Sequence, residues 1–441
     1  MEAPKEARPI SLRQLMVFGR SLTEARLISS ANYVRTELPT RIAHRLRDMQ
    51  RLPYAVVSNP HIHDVYELYY DAFDLFRRVR EVQTLDDNER FCAQLAQMLR
   101  AHLTVIPKLT MGMLECSGLM PADDLDRFMN TLLRSRISRR VIAEQHLALT
   151  ENFNADWFQV GAPPSESEFI GEIFLKCAAG DVIERCGHAV RDLARSANGP
   201  DVPIPEIRVE GHLDATFPYI LSHLEYIVGE LLRNSVSAVL DSNSKPSSHS
   251  HSQSQTQSPP PPVEVTICEA QKHVIIRISD RGGGIPRDVL PHLWSFAKAG
   301  GPFSRDGHLR SERLENLVRV PLMAATLQEL QVKDGNFTGL QDGKPSTVAA
   351  PSSSSPLTLS SSPDTPAGAG GSSSSLSPLS MRPPNLRLGM GLPLSRVYAE
   401  YWAGSLELHS LEGYGVDAFL QISKLGNKNE QLATRAAMDA V

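Results

Sequence analysis

Five cysteines in 441 residues, Cys92, Cys116, Cys177, Cys186 and Cys268, form no CxxC pair. That argues against a zinc site or a disulfide framework and fits a reducing compartment. No apolar run approaches the roughly 20 residues that a membrane-spanning helix needs. No dense Lys/Arg stripe occurs and the formal net charge is −5, so the electrostatic footprint of a nucleic-acid binder is missing. Neither the GxxxxGK loop of P-loop proteins nor an HRD tripeptide is present. The N-terminus "MEAPKEARPISLRQLMVFGR" has arginines but no secretory apolar segment, and Glu2 and Glu6 make it at most a poor transit peptide.

What remains is an ordinary hydrophobic fraction, 41%, in a chain long enough for two domains. Two polar stretches, Ser242–Pro262 and Ser346–Ser380, are rich in Ser and Pro. Neither can bury enough apolar surface to offset its ordering entropy, so inserts are expected at about 242–262 and 341–384. Before residue 165 the apolar spacing is three and four. Asp64–Val82, Asn88–Cys116 and Asp124–Leu149 read as long amphipathic helices, hence an antiparallel bundle. From about residue 166 the pattern is mixed, with an expected helix at His223–Leu240 and two strands within Val263–Ser279. Leu392–Gly404 reads as a helix and Ser405–Ser423 as a hairpin turning at Gly413 and Gly415. The fold class expected is α+β: a helical unit over 1–165, a mixed unit over 166–425 and a tail over 426–441.

Three short motifs carry chemistry. In "GELLRNS", Glu230 and Asn234 lie four apart and share a helix face. A carboxylate can accept a proton from an attacking hydroxyl, and an amide oxygen is a hard ligand suited to Mg²⁺. Alone, the pair also fits a solvated polar face. In "SDRGGGI", Asp280 follows a strand and can accept from an exocyclic amine, while Gly282 and Gly284 permit close backbone approach. Alone, this fits an ordinary glycine turn. In "LGMGLPLSRVYAEYW", Gly389 and Gly391 precede a helix opening at Leu392, an arrangement that suits a phosphate. Alone, it fits a hinge after a polar insert.

In this order the motifs resemble the Bergerat ATP-binding fold of gyrases, ninety-kilodalton chaperones, mismatch-repair ATPases and sensor histidine kinases. Together with "ELPTRIAHRLRDMQRLP", "SRISRRVIAEQHLAL" and "GMGLPLSRVYAEYWAGSLELHSLEGYGVD", they are more narrowly similar to mitochondrial kinases of the pyruvate and branched-chain 2-oxo acid dehydrogenase complexes. The resemblance implies a helical bundle docking on a lipoyl domain and a Bergerat-type α/β sandwich that phosphorylates serines of the dehydrogenase subunit. It implies Glu230 as general base, Asn234 as Mg²⁺ ligand, Asp280 as adenine partner, and Gly282, Gly284, Gly389, Gly391 and Leu392 around the nucleotide. ATP and Mg²⁺ are the cofactors implied, with K⁺ a candidate third. A homodimer in the mitochondrial matrix is the matching expectation, without nucleic acid or a membrane span. His146 matches a family position and reads as structural.

Departures accompany the match. Arg387 stands where the family has the first glycine of its lid end, and Val416 replaces a threonine of the adenine site. A lost hydrogen bond there would cost about 0.5–1.5 kcal/mol. Arg233 replaces a lysine with its charge kept. Tyr226 is closer to branched-chain-type kinases, and the two complexes stand nearly even. Two rival readings are a catalytically weak ATP-binding module that docks on the complex, and a sensor histidine kinase. His146 is followed by Leu147 rather than the acidic residue usual after a phosphoacceptor.

Overall fold

A computed structural model of the chain describes residues 6–20, 22–116, 118–154, 169–244, 259–297 and 390–432. The expected insert at 341–384, Arg387, Gly389 and most of the 242–262 stretch lie outside these residues.

The N-terminal unit consists of α1 (Leu12–Gly19), α2 (Glu24–Met49), α3 (Tyr54–Val57), α4 (Pro60–Arg77), α5 (Leu85–Ala101), α6 (Val105–Glu115) and α7 (Ala122–Asn154). Local signals set several starts. Thr23 caps α2, and Asn59 caps α4 with Pro60 at its first position. A Thr84–Asp87 capping box opens α5. The helical run expected over Asn88–Cys116 is broken by a 3-10 turn at His102–Thr104. Pro107, in the first turn of α6, has no N–H to donate and its ring would collide with the carbonyl four residues earlier.

The centre of this unit is α7, 33 residues long and so about 50 Å at 1.5 Å per residue. Its middle is buried all round, including Arg134, Arg136, Arg139 and Arg140, each at most 4% exposed. Each of three of them has a polar partner on or near α7. Arg139 donates to the Tyr69 hydroxyl at 2.7 Å and stacks on that ring, Arg140 pairs with Glu144, and Arg136 donates to the His102 carbonyl. His146 is fully buried, with Nδ1 3.0 Å from Ser30 Oγ and Nε2 3.0 Å from Asn88 Oδ1. Burial lowers its pKa to about 4. It pins α7 to α2 and α5 and presents no exposed nitrogen.

The second unit begins with β1 (Phe169–Ile170), β2 (Ile173–Ala178), α8 (Ala179–Asn198), β3 (Ile207–Gly211) and β4 (Thr216–Ile220). It continues through α9 (Leu221–Asn243), β5 (Val263–Glu269), β6 (His273–Asp280), α10 (Gly391–Tyr401), β7 (Ser405–Leu411) and β8 (Gly415–Ser423). Five strands form one sheet in the order β3-β5-β6-β8-β7, with β3 parallel to β5 and the other pairs antiparallel. A separate three-stranded sheet runs β1-β2-β4. The β5–β6 and β7–β8 hairpins match the sequence expectation. The small sheet, α8 and the parallel β3 were not anticipated. Leu224, Ile227, Val228, Leu231, Val236 and Val239 of α9 are all buried, as the spacing predicts. This helix packs against α8, α10 and β6.

The two units are tied through the C-terminal strap. Asn429 bridges Ser11, the Arg13 N–H donates to the Gly426 carbonyl, and the Glu430 N–H donates to the Ile10 carbonyl. Glu430, 3% exposed, pairs with Arg41 at 2.8 Å and accepts from the Tyr401 hydroxyl. Arg41 also holds Glu37. Arg134 of α7 pairs with Glu400 of α10. Arg41→Ala removes the buried guanidinium shared by two enclosed carboxylates, leaving Glu37 with Arg8 and Glu430 with Tyr401, so urea unfolding should register a loss of about 3–5 kcal/mol. A loss below about 1 kcal/mol would mean that this network contributes no more than a surface pair.

Candidate active site

Strand parity places the first site residue. In β6 the buried positions alternate, and Asp280 falls on the same face as Val274, Ile276 and Ile278. That face is covered by α9. The Asp280 side chain is therefore carried to the helix rather than to solvent, and the residue is 5% exposed. Its Oδ1 accepts the Gly282 N–H at 2.9 Å. Burial pushes the Asp280 carboxyl above its ordinary range, while hydrogen bonds from the Gly282 N–H, the Ser235 hydroxyl and the Val416 N–H pull it back. Val416 lies opposite Asp280 in the β6–β8 register. It thus serves the carboxylate through its backbone, whatever its side chain.

The "GGG" turn is fixed at several points. A Cβ on Gly282 would lie 2.5 Å from the Ala238 Cβ and 2.7 Å from that residue's backbone carbon. Only a residue without a side chain lets this loop rest on α9. Gly283 exchanges backbone hydrogen bonds with the β7–β8 turn, to the Tyr414 carbonyl and from the Gly413 N–H. Gly284 has φ +74°. The Ile285 N–H donates to Ser410 Oγ at 2.7 Å. The turn is thus held by both α9 and the hairpin, with the close backbone approach that the glycines permit.

At the other end of the same helix face, Glu230 is 1% exposed. Arg233 Nη2 donates to its Oε2 at 2.7 Å. A Cβ on Gly391 would overlap Glu230 Oε2 and stand 3.8 Å from Arg233 Nη2, so the first residue of α10 presses on the carboxylate. The helix opens Gly391-Leu392-Pro393 after Met390, which provides no side-chain cap. Pro393 has no N–H, and the Leu394 N–H is taken by the Met390 carbonyl. The Gly391 and Leu392 N–H groups are therefore the donors that this helix end offers to an anion.

Asn234 lies one turn beyond Glu230 and is half-buried. It makes no side-chain hydrogen bond to another described residue, which suits an amide oxygen held ready for a hard cation that keeps most of its waters. The sequence reading missed two participants. Arg233 was read only as a retained charge, although its spacing of three from Glu230 is that of a helical ion pair. Ser235 gave no signal, because its role depends on which strand end α9 covers.

Both halves of the chain match known protein families. Residues 9–174 match a family described as mitochondrial branched-chain alpha-ketoacid dehydrogenase kinase. Residues 220–338 match the histidine kinase-, DNA gyrase B-, and HSP90-like ATPase family. A pyruvate dehydrogenase (acetyl-transferring) kinase 2, mitochondrial, of Saccharomyces cerevisiae is 31% identical over 435 residues, covering 97% of this chain and 84% of that protein. This chain belongs to the mitochondrial 2-oxo acid dehydrogenase kinase family. The corresponding kinase of Arabidopsis thaliana is 27% identical, covering 96% of this chain and 92% of its own length. That of Drosophila melanogaster is 25% identical, covering 96% and 83%. Membership makes the enzyme an ATP-dependent protein kinase, with an α+β fold that joins a helical bundle to a Bergerat-type ATPase domain.

Asp280→Asn tests the electrostatics. A carboxyl whose folded pKa lies above its ordinary value of about 3.8 costs stability as the pH rises through that range. The nucleotide-free Asn variant should therefore be at least as stable as the parent at neutral pH. The difference should shrink as the pH falls toward the ordinary carboxylate range, and adenine-nucleotide binding should be lost. Urea titrations across pH, with ATP binding by calorimetry, check both parts. A variant less stable at every pH would contradict the account.

Proposed function

We propose that the chain is a protein-serine kinase that phosphorylates and inactivates the dehydrogenase subunit of a mitochondrial 2-oxo acid dehydrogenase complex. One observation carries the reading. Along a single face of α9, Gly391 and its N–H pair meet Glu230, while Gly282 and the Asp280 loop meet Ala238. The eight-residue step from 230 to 238 spans about 12 Å of helix, a length that a nucleoside triphosphate can bridge from base to terminal phosphate. Asp280 would receive the adenine amine, the α10 N-terminus would receive phosphate and Asn234 would hold Mg²⁺, whose charge would offset that of the phosphates.

Glu230 then acts as general base. Its carboxylate lies beside the phosphate donors and accepts the proton of the substrate serine as the hydroxyl attacks. Transfer is direct, without a phosphoenzyme. A phosphohistidine route gains no support, since His146 is buried between Ser30 and Asn88. Residues 1–165 serve as the docking unit for a lipoyl-bearing core, and residues 166–425 as the catalytic unit. A homodimer in the matrix follows from the same family reading, and K⁺ stays a family expectation with no residue assigned. Of the two complexes, the pyruvate type is favoured by the names of the relatives, each a pyruvate dehydrogenase kinase. The family model matched over 9–174 bears the branched-chain name, so that complex is the second reading.

Purified pyruvate and branched-chain complexes, offered side by side with ATP, decide the matter. Serine phosphate should appear on the pyruvate dehydrogenase subunit at the higher rate. Glu230→Gln should lower that rate by about 10²–10⁴-fold, the usual worth of a general base, with ATP still bound. The reverse ranking would change the complex. Equal regulation by parent and variant would instead make the protein a non-catalytic docking module.

A further inference from the structure

Arg233 occupies the joint between the base and the phosphate helix. Its Nη2 lies 2.7 Å from Glu230 Oε2 and 3.8 Å from the point that a Gly391 Cβ would occupy. Its side chain is 13% exposed and that of Glu230 is 1% exposed. The Nε is buried with no hydrogen-bond partner among the described residues. Arg233 also lines a cavity of about 360 Å³ between α8 and α9, with Val190, Val236, Ser237 and Asp241.

These features distinguish Arg233 from an incidental surface partner. An exposed pair three residues apart on a helix would contribute little and hold neither side chain in place. Here the carboxylate is enclosed, so its charge requires a buried counter-charge. Contact at Oε2 also sets the plane of the carboxylate. Proton acceptance requires that plane to be aligned with the incoming hydroxyl. The same oxygen is the one that a Gly391 Cβ would overlap, so guanidinium and phosphate-helix glycine converge on Oε2.

We propose that Arg233 is the positioning residue of the general base, fixing the Glu230 carboxylate against the N-terminus of α10 in the orientation that receives the serine proton. The inference rests on the reading of Glu230 given under Proposed function. Arg233 acts through Glu230 and is not itself required for nucleotide affinity.

The test uses the full-length kinase, its dehydrogenase substrate and four variants: Arg233→Met, Arg233→Lys, Glu230→Gln and the double variant Glu230→Gln/Arg233→Met. In Arg233→Met, kcat should fall about 10²-fold, the scale of a small misplacement of a reacting group. The KM for ATP should stay within about threefold, because transition-state alignment is lost and ground-state binding is not. Arg233→Lys, which keeps the charge without the planar fork, should recover to within about tenfold of the parent. The double variant should be no slower than Glu230→Gln alone, since residues acting as a unit are not additive.

The inference is overturned if Arg233→Met turns over at the parental rate, or if its KM for ATP rises in step with the loss of kcat. It is also overturned if Arg233→Lys is as slow as Arg233→Met, or if the double variant is slower than Glu230→Gln. A fully active Glu230→Gln would remove the general-base reading and this inference with it. An inactive Glu230→Gln beside a fully active Arg233→Met removes only the positioning role.

Discussion

The site is organised around one enclosed carboxylate. Glu230 is buried on α9, where an uncompensated charge would be costly. Arg233 supplies the counter-charge from the next turn of the same helix, and Gly391 supplies the space from α10. These two conditions bring the phosphate helix onto α9 at a fixed place. Ser235 and Ala238, further along α9, then receive Asp280 and the Gly282 turn from β6. The residues proposed as base and cation ligand, and the places where the proposed anion site and adenine partner meet α9, are spaced along this one helix.

Much of this could be read before the coordinates, for definite reasons. Helices with a clear three-and-four period, such as α4 and α5, were legible because their apolar faces meet the core. The β5–β6 and β7–β8 hairpins were legible through alternation and turn glycines. The break between α5 and α6 is explained by Pro107, a residue that outweighs the periodicity of its surroundings. The small sheet was hidden, because β1 is two residues long and β2 is not sequential with its partner β4. The parallel pairing of β3 with β5 joins strands separated by β4 and α9, and no local pattern encodes such an arrangement. At the site, residue types and order were visible. The contacts were not, since Val416 and Ser235 act on Asp280 from elements fixed only by the fold.

Helix α10 is also bound to the helical unit. Arg134, at the centre of α7, pairs with Glu400 of α10, and Tyr401 at its end donates to Glu430. Glu430 is held in turn by Arg41 of α2. Asp126, near the start of α7, accepts the Phe296 and Ala297 N–H groups at 2.7 and 3.0 Å. The residues on which the phosphate helix ends, and the segment that follows the adenine loop, thus both contact α7.

The central claim is that the α9 face from Glu230 to Ala238 is the nucleotide site. A crystal structure with Mg²⁺ and a non-hydrolysable ATP analogue tests it most directly. The account predicts the adenine amine on Asp280, the metal on Asn234 and the phosphates on the Gly391 and Leu392 N–H groups. A nucleotide seated instead in the cavity between α8 and α9, or one bound with Asp280 and Glu230 untouched, would contradict it.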